Sequence, residues 1–379
     1  MPSNRTRRAG ALGVAAVALL GALTACGDDA DSGSADPADA STSADATTDL
    51  GGDAALAAAD WFAGQLEDGL LVNEEYSTAD YGGTVDAIYS FEEVGADADD
   101  VTAMTDAVLA AGKEYVAPGK DIWAGNAGKL VSLAVDHDAD PTDLDGFDAL
   151  GTLEDRVDES GRTSDKSSYG DFANSLGQAW AVRGLDAAGS TERDAALDFL
   201  LLQQCSDGYF RQDFSPAKAK DQSCDTGKGE PSVDATALAV VLLSDLAEPT
   251  ADLTGALERA SAYLVQEQAE DGSLIGSAEL PANANSTGLA ARALLVAGED
   301  EAAANAAAWV YAHQLPDGCD GDLAAAAGAI GYDDAALTLA GTDGITAKTS
   351  YQWRLATAQA LPALATTPEG TEPAACPAG

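Results

Sequence analysis

Along the chain, apolar blocks with helical spacing alternate with short polar breaks. The unit is plainest over residues 195–243, which read as an apolar helix (AALDFLLLQQ), a polar turn (Cys205, Ser206, Asp207, Gly208), the aromatics Tyr209 and Phe210, a loop, and a second apolar helix (VDATALAVVLL). Similar Asp-Gly turns stand at Asp68-Gly69, Asp271-Gly272 and Asp317-Gly318. The long gap between the first turn and Asp207 leaves room for two more, near Pro118-Gly119 and Ser160-Gly161. Self-similarity at a period of roughly 20–50 residues is the mark of an array. The pattern predicts six helix pairs, 55–66 with 81–94, 100–115 with 126–135, 143–157 with 174–185, the pair in 195–243, 253–268 with 285–297, and 299–314 with 333–339. A last helix, 351–364, continues or closes the array.

The two helices of a pair differ in character. Second helices such as 235–243 and 287–296 are almost wholly apolar or small, and a helix apolar all round must be buried. First helices carry charge on one side, as Glu258, Arg259 and Glu267 do. An inner ring of helices inside an outer ring follows. Second helices open near Thr84, Asn126, Asn174, Asp234, Asn285 and Asp333, residue types whose side-chain oxygens can cap the free N–H groups of a first turn.

The repeats A-L-D-F-L-L-L-Q-Q-C-S-D-G-Y-F (196–210) and A-Y-L-V-Q-E-Q-A-E-D-G-S-L (262–274) resemble those of the terpenoid cyclase and protein prenyltransferase toroid superfamily. The resemblance spans about residues 55–365 and implies an all-α fold, an α6/α6 toroid in which antiparallel helix pairs form a double ring around a central mouth.

The N-terminus is a targeting signal to be set aside before the fold is read. Arg5, Arg7 and Arg8 precede an apolar run, 9–23, too short for a comfortable membrane span. Leu23-Thr24-Ala25-Cys26 follows. The segment resembles a bacterial lipoprotein signal peptide, which implies cleavage after residue 25, lipid attachment at Cys26 and a place on the extracytoplasmic face of the cell membrane; an ordinary cleaved signal or an uncleaved anchor is the alternative. Residues 26–52, rich in Asp, Ser, Ala, Thr and Gly, bury too little to fold and read as a tether. The toroid is assigned to 53–365 and a tail to 366–379.

Charge narrows the partners. With 64 acidic and 19 basic residues the chain carries a formal charge of −45, and removing the signal takes away only basic residues. Such a surface repels nucleic acid, whose binding needs clustered Lys and Arg. The remaining four cysteines form an even set in an exported chain, which favours disulfides. Cys205 in a turn is expected to pair with Cys224 in the following loop, and Cys319 in the sixth turn with Cys376 in the tail. A zinc site fits less well, because the spacing is wrong and His137 and His313 are the only histidines. No metal or cofactor is expected.

Fold alone does not assign function. Cyclases of the resembled superfamily are marked by D-x-D-D-T-A with its middle Asp as the acid. Ser232-Val233-Asp234-Ala235-Thr236-Ala237 keeps an Asp two residues before Thr and lacks the others. Asp97-Ala98-Asp99-Asp100 matches D-x-D-D but runs into Val101 within a polar linker. The prenyltransferase zinc trio has no match in the corresponding repeats. Aromatics, at 6%, supply little of the lining that carbocation chemistry needs. Cobalamin carriers share the fold and bind rather than catalyse, although they hold their ligand against a second β-rich domain that has no counterpart here. By that resemblance the ligand-binding rim comprises Tyr81, Thr84, Asp86, Trp123, Asn126, Tyr169, Asn174, Asp234, Thr236, Asn285, Thr287, Tyr332 and Asp333, each of which could instead be only a cap. Adjacent carboxylates such as Asp333-Asp334 leave open a glycan-active α/α barrel. The preferred reading is a monomeric, non-catalytic capture protein, taking a small molecule such as a corrinoid or a surface partner and serving a transporter.

Overall fold

A computed structural model describes residues 50–379 apart from 228, 279, 378 and 379. The signal segment, Cys26 and the tether up to residue 49 lie outside the described residues. In chain order the helices are α1 (Leu50–Ala63), α2 (Tyr81–Val94), α3 (Ala98–Ala110), α4 (Gly112–Val116), α5 (Ala124–Asp136), α6 (Ala149–Glu154), α7 (Ser175–Ala188), α8 (Arg193–Leu201), α9 (Cys224–Gly227), α10 (Val233–Leu243), α11 (Ala251–Glu267), α12 (Ala284–Val296), α13 (Asp300–Tyr311), α14 (Asp334–Asp343) and α15 (Ser350–Leu364). Two short antiparallel ladders join Val72–Asn73 to Thr78–Ala79 and Phe210–Arg211 to Pro231–Ser232.

The ring closes. Helices α2, α5, α7, α10, α12 and α15 pack in that order side by side, and α15 returns to α2. Around them stand α1, α3, α6, α8, α11 and α13, each against its inner neighbours. The chain is an α6/α6 toroid. The inner helices approach closely because their facing positions are small. A Cβ on Gly128 would stand 2.5 Å from the backbone of Ala181, and one on Gly288 2.6 Å from Ala360.

The repeat has a physical basis. At the end of three outer helices a glutamine amide bridges two carbonyls, one on its own Gly turn and one on the next outer helix. Gln204 donates to Gly208 and Ala256, Gln268 to Gly272 and Ala302, and Gln314 to Gly328 and Ala54. The third of these bridges runs from the last outer helix to the first. Two residues past four of the turn glycines, a backbone N–H donates to a threonine buried on the inner helix: Leu71 to Thr84, Phe210 to Thr236, Leu274 to Thr287 and Ile330 to Thr357. In the third unit Gln178 takes both roles, accepting from Thr163 and donating to Gly161 and Ala196. The glycines are required, since Gly161 has φ of +84° and a Cβ there would meet the Ala195 carbonyl at 1.8 Å.

Five expectations need correcting. The second unit has no crowded turn glycine, for nothing lies near a Cβ on Gly119 and the Asp121 N–H donates back to Pro118. The sixth inner helix is α15 and not 333–339. Helix α14 lies in an excursion between α13 and α15, with only Ala340 buried, and packs in a satellite cluster around Trp353. The sixth turn is made by Gly328, pressed against the Ala57 carbonyl, whereas nothing crowds Gly318. The third outer helix is only α6, because Asp140 and Asp143 bind the N–H groups of Thr142 and Gly146 and hold the chain in turns before Asp148 caps the helix. The first helix begins at Leu50, inside the expected tether. Both disulfides pair as expected, Cys205 with Cys224 and Cys319 with Cys376.

Gln314→Ala leaves the carbonyls of Ala54 and Gly328 unpaired at the closure of the ring. Urea unfolding should show a loss of about 1–3 kcal/mol. A change within about 0.5 kcal/mol, as for an ordinary surface site, would show the bridge to be incidental.

Candidate functional site

The first turns of the inner helices surround a cavity of about 650 Å³. Several loops are laid across its edge, because each of three inner helices gives its first N–H to the loop of the next unit: Ser175 to Gln212, Val233 to Gly276 and Ala284 to Tyr332. The fourth such donor, Ala124, is taken by the Asp165 side chain at 2.8 Å.

One wall is aromatic. Trp123 and Phe172 stand 6.4 Å apart between ring centres, and Tyr89 stacks on Trp180 at 5.6 Å. The opposite wall, on α10, α12 and α15, sets Leu238 and Leu289 among polar groups, Asp234, Asn285, Ser286, Arg292 and Gln359. A chain of contacts joins the two. Lys129 pairs with Asp86, donates to the Gly82 carbonyl at 2.8 Å and lies 5.2 Å from the centre of the Trp180 ring. Gln359 donates to Asp86 at 3.3 Å and accepts from Asn285. Arg292, the other cation of the lining, pairs with Glu93.

Burial sets the protonation of the carboxyl groups here. It pushes Asp234 up, against a weaker opposing effect of Ser286. It likewise raises Asp165, with N–H groups of Ala124 and Phe172 working the other way. Tyr89 is held protonated by burial and by Asp136, to which its hydroxyl donates at 2.9 Å. Two lining acceptors, Asp234 Oδ1 and Asn285 Oδ1, and one donor, Arg292 Nε, are buried with no hydrogen-bond partner.

Of the residues expected on the rim, Asp86, Trp123, Asn126, Asn174, Asp234, Asn285 and Tyr332 line this cavity. The others do not. Thr84, Thr236 and Thr287 are fully buried and hold the Gly turns. Tyr81 faces an adjoining pocket of about 570 Å³ beside Tyr115, and Tyr169 is 78% exposed on the loop outside. Asp333 caps α14, away from the cavity. Asn174 caps α7 and Asp333 caps α14 as expected, but the other caps are displaced. Asp80, Ser232 and Asn283 cap α2, α10 and α12, while Trp123 opens α5 with no side-chain cap. Asp234 and Asn285 therefore stand at the second helical position, free to turn inward. The charged and aromatic residues Lys129, Arg292, Trp180 and Phe172 and the amide of Gln359 had no marker in the repeat.

Six inner helices enclosed by an outer ring, with a mixed cavity at one end, define an α-α toroid. No family model matches the chain, and no curated protein is similar to it in sequence. Among solved structures it is similar to a protein from Actinoplanes, at TM-score 0.56 and 17% identity, over 83% of this chain and 99% of that one. It is similar also to the type II terpene cyclase MstE from Scytonema, at TM-score 0.56 and 16% identity, over 83% and 98% of the two chains. An unsaturated glucuronyl hydrolase specific for heparin matches at TM-score 0.56 and 12% identity, over 84% and 96%. These likenesses are of fold.

The raised Asp234 has a signed consequence. A carboxyl whose folded pKa lies above its unfolded value, about 3.9, binds a proton more tightly in the native state, so its stabilising contribution is present at low pH and is lost as pH rises through the folded pKa. Asp234→Asn should therefore be more stable than the parent at pH 7, and denaturant midpoints should show that advantage shrinking toward pH 4. An advantage independent of pH would point to packing.

Proposed function

We propose that the toroid captures an uncharged small molecule in its central cavity and performs no chemistry on it. The observation that carries this reading is the cavity's electrostatic balance. In a chain of formal charge −45, both lining cations are already neutralised, Lys129 by Asp86 and Arg292 by Glu93, and burial raises the pKa of the lining carboxyls Asp234 and Asp165. An anionic ligand such as a diphosphate would find no free cation among the described lining residues. A pocket with apolar rings on one side and a few hydrogen-bonding groups on the other suits an amphipathic neutral ligand. Disulfides persist in oxidising compartments, and the two here fit an extracytoplasmic domain. Among the described residues no helix is long and apolar enough to cross a membrane. With Cys26 carrying lipid, a monomer would hold its ligand near the cell membrane for a transporter.

A second reading rests on one residue. Asp234 occupies the place of the middle Asp of the cyclase signature, lines the cavity beside Tyr332 and is biased toward the protonated form, as a proton donor must be. Its neighbours in the signature are Ser232 and Ala235, so the carboxylates that would tune such an acid are missing.

One experiment separates the two. The purified full-length protein is incubated with corrinoids, polyprenyl alcohols and glycans, its thermal unfolding is followed, and the recovered compounds are weighed by mass spectrometry. Capture predicts a ligand recovered unchanged and stabilisation of about 2.7 kcal/mol at a hundredfold excess over Kd. Conversion of a polyprenyl compound, lost in Asp234→Asn, would establish the cyclase reading instead.

A further inference from the structure

Beside the central cavity lies a second hollow that the capture reading does not use. It has a volume of about 570 Å³ and sits between the strand Thr78–Ala79, the start of α2 and the end of α4. Trp123 and Asn126 line both spaces, so the two adjoin there. Their linings differ in charge. Three aromatic residues face the hollow, Tyr81, Tyr115 and Trp123, with Tyr81 and Tyr115 tilted at 48° and 5.6 Å between ring centres. Two carboxylates accompany them, Asp80 and Glu114. Among the described residues that line it, none is a lysine or an arginine. Lys129 stands behind the wall, donating to the Gly82 carbonyl, and its charge is met by Asp86.

The carboxylates are set differently. Asp80 is fixed, its Oδ1 accepting from the Gly83 N–H at 2.9 Å and its Oδ2 from the Tyr351 hydroxyl at 2.7 Å, so its charge stays at the wall. Glu114 is exposed at the rim. Both tyrosines feel this negative field. Burial and then Glu114 push the Tyr81 phenol up, and burial, Asp86 and Asp80 do the same to Tyr115, so both rings keep their neutral phenol form.

We infer that this hollow holds an organic monocation, an alkylated ammonium group, against the rings of Tyr81, Tyr115 and Trp123, with Asp80 and Glu114 supplying the counter-charge. The face of an aromatic ring carries the negative side of a quadrupole and attracts a cation, and quaternary ammonium groups are the ligands that ring-lined cages recognise. A chain of formal charge −45 also raises the concentration of cations near its surface. A zwitterion gains less, because its own carboxylate lies near Asp80 and Glu114. A neutral molecule of the same shape loses the electrostatic attraction altogether. The site stands apart from whatever fills the central cavity.

The probe is choline, compared with its neutral carbon isostere neohexanol and with the zwitterion trimethylglycine. Each is titrated into the full-length protein at constant ionic strength, and binding is read by tryptophan emission, since Trp123 is in the wall, and by calorimetry. Choline should bind saturably, and the other two about tenfold more weakly. Tyr81 lines this hollow and not the central cavity, so Tyr81→Ala should weaken choline about tenfold, whereas Tyr81→Phe keeps the ring and should leave it nearly unchanged. Glu114→Gln, at an exposed position, should weaken it about two- to fivefold. Unfolding midpoints confirm that the variants fold. Neohexanol or trimethylglycine binding as tightly as choline would overturn the proposal. So would choline binding that Tyr81→Ala leaves unchanged, which places the cation elsewhere, or no saturable response to choline by either readout.

Discussion

A glutamine side chain held at the end of an outer helix, with both N–H groups spent on carbonyls of different elements, is the contact on which the ring depends. A lone turn glycine needs its carbonyl paired once it is buried, and the next outer helix exposes a carbonyl at its crowded inner face. The amides of Gln204, Gln268 and Gln314 meet both demands at once. The N–H two residues past the turn is met by a threonine from the inner helix. Turn, outer neighbour and inner helix are locked as a set, so each unit fixes the angle to the next. The same device between Gln314 and Ala54 makes the sixth unit the neighbour of the first, which is closure.

The cavity follows from this construction. Inner helices approach closely at glycine and alanine, as at Gly128 against Ala181, and the cavity is lined by side chains from along them, Tyr89, Trp180 and Arg292, and from their starts. There the loops of the next unit cover the first N–H groups, and the real caps, Ser232 and Asn283, lie just before the helices. Residues two places further on are released from capping. Asp234 and Asn285 consequently line the cavity from the helix starts.

The contrast between surface and cavity bears on selectivity. Negative charge over the outside keeps anions at a distance, screened beyond a Debye length of about 8 Å at physiological salt, while burial inside raises the pKa of Asp234 and Asp165.

Sequence by itself determined the helical class, the six-unit ring and the inner and outer character of its helices, because these rest on periodicity and on short-range order: apolar spacing, glycine after a polar turn, a glutamine before it; the even set of four cysteines, placed in two turns, a loop and the tail, marked both pairings. It also marked Asp86, Asn126, Asn174, Asp234 and Asn285. Tertiary structure alone decided the rest. The excursion of residues 315–349 displaced the sixth turn to Gly328 and the sixth inner helix to α15, since helical propensity at 334–343 is a local property while membership of the ring depends on which apolar face finds partners. The division of like residues was equally invisible, for Thr84, Thr236 and Thr287 serve turns from within the wall while Lys129, Arg292, Trp180 and Gln359 enter the mouth from helix positions no motif distinguishes. Whether a polar side chain caps, braces or faces a ligand is set by the direction in which its helix presents it, and that direction exists only once the ring has closed.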